Sequence, residues 1–260
     1  MLRPRLIPSL LIHENGLVKT RGFAVDKYVG DPLNAVRIFN EKQVDELAVF
    51  DIDATVQRRG PNLELIRKLA AECRMPLCYG GGVQDVETVD AIISLGVEKV
   101  ALSSASIAKP ELIAQAASRV GSQSVVAVVD VKRTGLLRRY EVVTHNAAVR
   151  TGLDPLEWVS RLQQEGAGEI VLNFADRDGE MNGYDMDYIA KVRDLVKTPL
   201  TVLGGAGSLA HIEALVRRFG IIGAAAGSLF VFKGRLRAVL INYPNPIEKR
   251  ELWKRALDDG

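Results

Sequence analysis

Apolar positions along the chain follow two alternating patterns. Short runs of aliphatic and β-branched residues are separated by longer stretches in which apolar residues recur every three or four positions. The runs predict strands at 6–12, 47–52, 77–79, 100–102, 124–131, 169–173, 200–203 and 222–226. Helical spacing joins them. Residues 32–42 form a helix with Asp31 as N-cap and Pro32 in its first turn. Leu65, Ile66, Leu69, Ala70 and Cys73 mark one face of a second, and Val86, Val89, Ile92 and Ile93 line a third. Pro110 opens a helix carrying Leu112, Ile113, Ala116 and Ala117, and 155–165, 187–196 and 210–219 complete the series. Residues 125–129 are entirely apolar, as suits a parallel strand buried on both faces.

Eight strands, each followed by a helix or helical turn, fit an open doubly wound sheet or a closed barrel. An internal repeat decides between them. DELAVFDIDA at 45–54 matches AGEIVLNFADRDG at 167–179 in layout, CYGGG at 78–82 matches VLGGAG at 202–207, and VEKVALSSAS at 97–106 matches IIGAAAGSLF at 221–230. The offset is about 124 positions, close to half the chain. A duplicated four-strand unit closes naturally into eight strands. An open sheet would need edge protection that the sequence does not offer. No G-x-G-x-x-G fingerprint follows the first strand. The expected fold is α/β, a single (β/α)8 TIM barrel over 1–260. Its half-barrels span about 1–120 and 121–243, and a helical tail covers 244–260.

Composition narrows the function classes. The chain has 260 residues, 47% of them hydrophobic, with 34 basic against 32 acidic groups. A balance of +2 argues against nucleic acid or an anionic membrane as partner. No apolar stretch is long enough to span a bilayer, and the opening MLRPRLIPSLL, broken by Pro4 and Pro8, reads as a strand rather than a signal peptide. A soluble cytoplasmic protein is expected. Cys73 and Cys78 do not make a disulfide framework, and His13, His145 and His211 lack zinc-ligand spacing; His13 and His145 are expected to reach the active face and His211 to be solvated, and no metal or other cofactor is expected.

Chemistry should gather where the strands end, at the C-terminal face of a barrel. Gly80, Gly81 and Gly82 end the third strand, and Gly204, Gly205 and Gly207 follow the seventh. Glycine there lets backbone N–H groups approach phosphate oxygens. Ser103 and Ser104 end the fourth strand, and Gly227 and Ser228 the eighth, each before a helical segment. The repeat thus predicts two opposed phosphate sites, suited to a long ligand anionic at both ends. The bland alternative is that the glycines only permit tight turns. Asp51, Asp53, Asp130, Asp176 and Asp178 also sit at strand ends. Asp130, after an apolar strand, is the strongest acid–base candidate, with pairing to Lys132 as the structural alternative. Asp176 and Asp178 could instead shape an Asx turn. At the opposite end, Arg5, Glu46, Lys99 and Glu169 open strands one, two, four and six. They could form a charged ring across the barrel bottom or four ordinary surface charges.

The segments RLIPSLL, GLVKT, VDELAVFDIDA, YGGGV, VEKV, VGSQSVVAVVDVKR, GAGEIVLNFADRDG, GYD and GGAGS resemble the cyclase subunit of imidazole glycerol phosphate synthase over essentially the whole chain. The resemblance implies a barrel that takes ammonia from a glutaminase partner docked at its bottom, through a gate matching Arg5, Glu46, Lys99 and Glu169. It implies a phosphoribulosyl substrate with two phosphates, in histidine biosynthesis, and carries Lys19 over as a substrate-binding residue. Asp176 and the glycine and serine turns become ligand contacts, and Asp130 and Asp178 active-site acids. The family's other catalytic aspartate, at the end of strand one, falls on Leu11. Leucine transfers no proton, and loss of an acid–base group removes ~10²–10⁴-fold in rate.

A narrower resemblance fits that change. PRLIPSLLIHENGLVKT, KYVGDPLNAVRIFNEKQVDEL, CRMPLCYGGG and FGIIGAAAGSLFVFKGRLRAVLINYP look like cyclase-like proteins of surface-polysaccharide clusters. These imply amidation of an N-acetyl sugar to an acetamidino sugar for lipopolysaccharide, with a glutaminase-like subunit and a sugar-binding amidotransferase-like enzyme. The ligand would be phosphorylated or nucleotide-linked. The alternatives are an authentic cyclase subunit and a non-catalytic scaffold that conducts ammonia.

Overall fold

A computed structural model describes residues 3–136, 138–234 and 236–257. Eight parallel strands close on themselves: β1 (Arg5–His13), β2 (Leu47–Asp51), β3 (Leu77–Gly80), β4 (Lys99–Leu102), β5 (Val125–Thr134), β6 (Glu169–Phe174), β7 (Leu200–Leu203) and β8 (Gly223–Ala226). Each pairs with its successor, and β8 pairs with β1, so the barrel has no free edge. Seven helices pack outside: α1 (Pro32–Glu41), α2 (Leu63–Glu72), α3 (Val86–Ser94), α4 (Glu111–Val120), α5 (Pro155–Gln164), α6 (Met186–Leu195) and α7 (Leu209–Phe219). Short helices at Ser104–Ala108 and Ser228–Val231 follow β4 and β8.

Helix starts follow local chemistry. Asp31, Asn62, Asp85, Asp154, Asp185 and Ser208 each accept a hydrogen bond from a first-turn N–H. Such a cap contributes about 1 kcal/mol. The side-chain period of two gives each strand an outer and an inner face. Leu6, Leu10 and Ile12 of β1 join the large core beneath the helices, while Ile7 belongs to a smaller core inside the barrel with Ala48, Cys78, Ala101, Val126, Val128, Val171, Leu203 and Ala225. Arg5, Ser9 and Leu11 share the parity of Ile7, so β1 presents charge, an apolar residue, serine and leucine in turn along the bore.

Three additions depart from a plain strand–helix alternation. After β1 the chain forms a hairpin, Gly16–Arg21 with Ala24–Gly30, before α1 begins. The far end of β5 pairs antiparallel with Arg139–Thr144, which in turn pairs with Val149–Arg150. Phe232–Lys233 and Ala238–Val239 form a third hairpin. The tail contains α8 (Pro246–Leu257), and residues 258–260 lie outside the described residues. Tyr243 straps this end to the barrel: its hydroxyl donates to the Leu6 carbonyl at 3.1 Å and accepts from the Asp45 N–H at 3.2 Å. No helix among the described residues is long and apolar enough to cross a membrane.

Candidate functional site

The bore is layered. At the N-terminal ends of the strands, Arg5, Glu46, Lys99 and Glu169 form a closed ring of alternating charge. Arg5 Nη1 donates to Glu46 Oε2 at 2.5 Å, and its Nη2 donates to Glu169 Oε1 at 2.6 Å. Lys99 Nζ donates to Glu46 Oε1 at 2.9 Å and to Glu169 Oε2 at 2.8 Å. Thr201 Oγ1 adds a bond to Glu169 at 2.6 Å. Burial works against charge here, but Arg5 and Lys99 hold the Glu169 carboxyl below the usual carboxylate range. Burial likewise opposes the charges of Arg5 and Lys99, and their acidic neighbours outweigh it, so both pKa values rise.

Above the ring lies a void of about 20 Å³, walled by Ile7, Ala48, Cys78, Val126, Val171 and Ala225 among others. That is room for one water-sized molecule. Glu46 and Glu169 border it from the ring, and Phe50 and Leu203 belong to its wall and to that of the upper cavity, so the void lies between the charged layer and that cavity. Cys78 is a free thiol in this layer, and burial pushes its pKa far up, away from thiolate chemistry.

At the C-terminal ends a larger cavity of about 150 Å³ opens. Of the residues singled out in the sequence, Lys19, Asp51, Gly80, Gly81, Gly82, Ser103, Ser104, Asp130, Asp178 and Gly227 line it, as does Leu11. Asp130 does not pair with Lys132. Its carboxylate accepts from Ser103 Oγ at 2.9 Å and from Asn173 Nδ2 at 2.7 Å. Burial raises its pKa to about 6, and these two bonds oppose the shift. A carboxyl poised there can exchange a proton near neutral pH.

Asp178 serves the lid of the cavity. Its Oδ2 accepts from Thr20 Oγ1 at 2.5 Å and from the Phe23 N–H at 3.1 Å, and its carbonyl accepts from the Gly22 N–H at 3.0 Å. Arg21 and Glu180 add an ion pair at 2.7 Å. These bonds hold the Gly16–Gly30 hairpin over the strand ends, so Lys19, Thr20 and Phe23 roof the cavity. Lys19 is only 3% exposed, and its Nζ donates to the Ser9 carbonyl at 2.8 Å. Burial pulls its pKa down to about 8 despite the nearby charge of Asp178.

Gly81 shows why glycine stands at these turns. Its φ is +119°, and a Cβ there would sit 2.4 Å from the Asp51 carbonyl oxygen. Its repeat partner Gly205 has φ +107° and would collide with the Gly183 carbonyl at 2.2 Å. The two halves differ in what they face, however. Among the described residues the cavity wall does not include Gly204, Gly205, Gly207 or Ser228. Gly204 backs onto the Phe174 carbonyl and Gly207 onto that of Met181, and the Gly207 N–H is taken by His211 Nδ1 at 3.1 Å. Asp176 also stands off the wall, where its carboxylate accepts from the Arg133 N–H at 3.0 Å and fastens the β6 turn to β5.

Several further residues line the cavity. Asn173 and Ser9 are single polar residues on the inner face of apolar strands, a pattern that could have marked them. Thr20 and Phe23 come from the hairpin. His145 and Asn146 come from the β5 excursion, where φ values of +53° and +55° turn the chain back over the site. Asn146 Nδ2 donates to the Ile52 carbonyl at 3.0 Å. Asp51 also reaches the wall, pinned by Arg59 at 2.9 Å, whereas Asp53 pairs with His13 at 2.6 Å.

Sequence comparison fits this geometry. A family described as "Histidine biosynthesis protein" matches residues 5–237. The chain is 56% identical over 253 residues to the "Putative imidazole glycerol phosphate synthase subunit HisF" of Leptospira borgpetersenii, covering 97% of this chain and all of that protein. It is 55% identical over 251 residues to the "Putative imidazole glycerol phosphate synthase subunit hisF3" of Vibrio vulnificus, covering 96% of each. It is 39% identical over 236 residues to the "Imidazole glycerol phosphate synthase subunit HisF" of Streptomyces coelicolor, covering 91% of this chain and 93% of that one. With the bore, the cavity and these full-length matches together, the chain belongs to the cyclase-subunit family of imidazole glycerol phosphate synthase.

Proposed function

We propose that this protein is an ammonia-using barrel subunit of the imidazole glycerol phosphate synthase type, working with a glutaminase-like partner at the ring end. Ammonia passes the ring of Arg5, Glu46, Lys99 and Glu169, crosses the apolar void, and adds to a carbonyl carbon of a phosphate-bearing ligand in the upper cavity. The observation that carries this reading is the order of layers along one bore: a closed charge ring, a void for one small molecule, then a cavity holding a carboxyl with a pKa of about 6. A gate must open by parting ion pairs, and small neutral ammonia suits a void of that size and lining. Gly81, Gly82, Ser103, Ser104 and Gly227 offer backbone and hydroxyl donors for a phosphate, and Asp130 exchanges the proton.

The names of the relatives favour the phosphoribulosyl substrate of histidine biosynthesis as the ligand. Leu11 favours a second reading. It fills an inward position of the cavity wall with an apolar side chain, leaving Asp130 without a second carboxylate from β1. A nitrogen transfer that skips ring closure, such as conversion of an acetamido sugar to an acetamidino sugar within a larger complex, places less demand on that position.

One assay separates the two. The purified chain is given saturating ammonium and the phosphoribulosyl substrate, and release of the aminoimidazole carboxamide product is followed. Turnover comparable to that of the Streptomyces coelicolor protein supports the cyclase reading. Turnover at least ~10²-fold lower, with ammonium-dependent conversion of a nucleotide-linked acetamido sugar in the reconstituted complex, supports the second. Failure of both, with no binding of a glutaminase subunit, overturns the proposal.

A further inference from the structure

Lys19 is a titratable group on the wall of the Asp130 cavity whose role the site leaves open. Its hairpin strand runs antiparallel to the end of β1, with Leu11 opposite Val18. The side chain reaches back under this strand and seats its amine on the Ser9 carbonyl at 2.8 Å. The seat is tight: a Cβ on Gly227 would stand 2.3 Å from Nζ and 3.3 Å from the Ser9 carbonyl oxygen. Nζ donates to a neutral carbonyl, and among the described residues no carboxylate is bonded to it. Asp178, the acid that influences it, spends Oδ2 on Thr20 and Phe23. Leu11, on the inner face of β1 beside Ser9, offers no charge.

A buried ammonium with one neutral acceptor is held weakly in its charged form. Elsewhere in the bore the protein treats cations differently: Arg5 and Lys99 each touch two carboxylates. Of these three bore cations, Lys19 alone rests on a neutral carbonyl and lines the upper cavity. An amine in such a place has its pKa drawn down to about 8, so both protonation states are reachable near neutral pH.

We propose that Lys19 is the second proton-transferring residue of this site, acting with Asp130 in the cavity that both line, where Leu11 supplies no acid. The proposal rests on the reading above, in which ammonia adds to a keto or aldehyde carbon in the cavity. The nitrogen forms the C–N bond as the carbonyl π pair moves to oxygen. The Lys19 ammonium protonates that oxygen, and the Asp130 carboxylate takes a proton from nitrogen. The hydroxyl then leaves as water with the Asp130 proton, and the iminium returns its proton to the Lys19 amine. Ammonia and a carbonyl become an imine and water, and both residues end as they began. The lysine does what a merely phosphate-holding cation would not: it changes charge during turnover.

The test uses the full chain labelled with ¹³C at lysine Cε. In the wild type one Cε resonance is expected to titrate near pH 8, well apart from the exposed lysines, and to be missing in Lys19→Arg. In Leu11→Asp the same resonance should move up by about one pH unit or more, because a carboxylate now stands beside the amine. With an acceptor that the preceding assay identifies, Lys19→Arg should lower kcat roughly 10²-fold with KM little changed, since arginine keeps charge and cannot release its proton. A Lys19 resonance titrating with the exposed lysines, or an arginine variant that retains kcat, overturns the proposal. If no acceptor is turned over, the functional reading fails, while the titration still decides whether the amine can exchange its proton.

Discussion

Removing Glu169 probes the ring most directly. Glu169→Ala deletes bonds from Arg5 at 2.6 Å, Lys99 at 2.8 Å and Thr201 at 2.6 Å, leaving two cations to share Glu46. Breaking a buried ion pair on one side costs about 3–5 kcal/mol, because the surviving charge stays in a poor solvent. Here the Arg5 and Lys99 side chains keep 24% and 17% of their exposure, so water at the barrel bottom relieves part of the penalty. The lower end, about 3 kcal/mol, is expected at pH 7. At this chain length that lowers the melting temperature by roughly 6–12 °C. The pH dependence has a definite sign. The folded-state pKa of Glu169 lies below the unfolded value of 4.5, so its contribution is complete above that pH and is lost as pH falls through the lower folded value. Urea unfolding followed by far-ultraviolet circular dichroism, at pH 7 and at steps below 4.5, measures both. A difference from wild type under about 1 kcal/mol at pH 7 would equate the ring with an exposed salt bridge and refute the reasoning. So would a difference that persists undiminished once wild-type Glu169 is protonated.

Three other perturbations have readable outcomes. Asp130→Asn should keep its partners Ser103 and Asn173 but lose ~10²–10⁴-fold in kcat with ammonium as nitrogen source. Wild-type turnover should rise with pH through about 6 as the carboxylate forms, and that limb should vanish in the variant. Gly81→Ala forces a Cβ to 2.4 Å from the Asp51 carbonyl at φ +119°, and a loss of about 2–4 kcal/mol in urea unfolding is expected; a change under 1 kcal/mol would contradict it. Thr20→Val removes the hydroxyl bond to Asp178, so trypsin should cut faster within Gly16–Gly30, at Arg21 or Lys27, without a large change in global stability; unchanged cleavage would show that the other lid contacts suffice.

The barrel is legible in the sequence because each of its elements is specified locally. The β5 run at 125–129 is apolar on both faces because it has helices on one side and the bore on the other. The helix starts at Asp31, Asp154 and Ser208 carry their own capping oxygen. Closure is a long-range property, yet the half-chain repeat encodes it, since β4 and β8 occupy equivalent places. The hairpin after β1 is not legible in this way. Ala24–Gly30 is mostly exposed and mixes charge with tyrosine and valine, so it lacks the burial that makes a strand readable, and its pairing to Gly16–Arg21 supplies the order.

The same distinction separates the parts of the site. The ring residues are all first residues of a strand or one position before it, so a barrel topology alone brings Arg5, Glu46, Lys99 and Glu169 together. The upper cavity depends on which loops fold inward, and repeat symmetry misleads there. Gly81 and Gly205 have nearly the same backbone, and each half packs a segment against its glycines, Arg59 and Gly60 against Gly82 and Met181 and Gly183 against Gly207 and Gly205, yet only Gly81 and Gly82 stay on the cavity wall. Lys19 lies in the segment whose fold the pattern leaves undetermined, and its burial comes from a lid held by Asp178. Leu11 acquires its meaning from that burial. In an open cavity an apolar residue there would simply remove an acid; beneath the closed hairpin it also leaves Asp178 as the acid acting on the neighbouring amine, and burial outweighs that charge and draws the amine's pKa down.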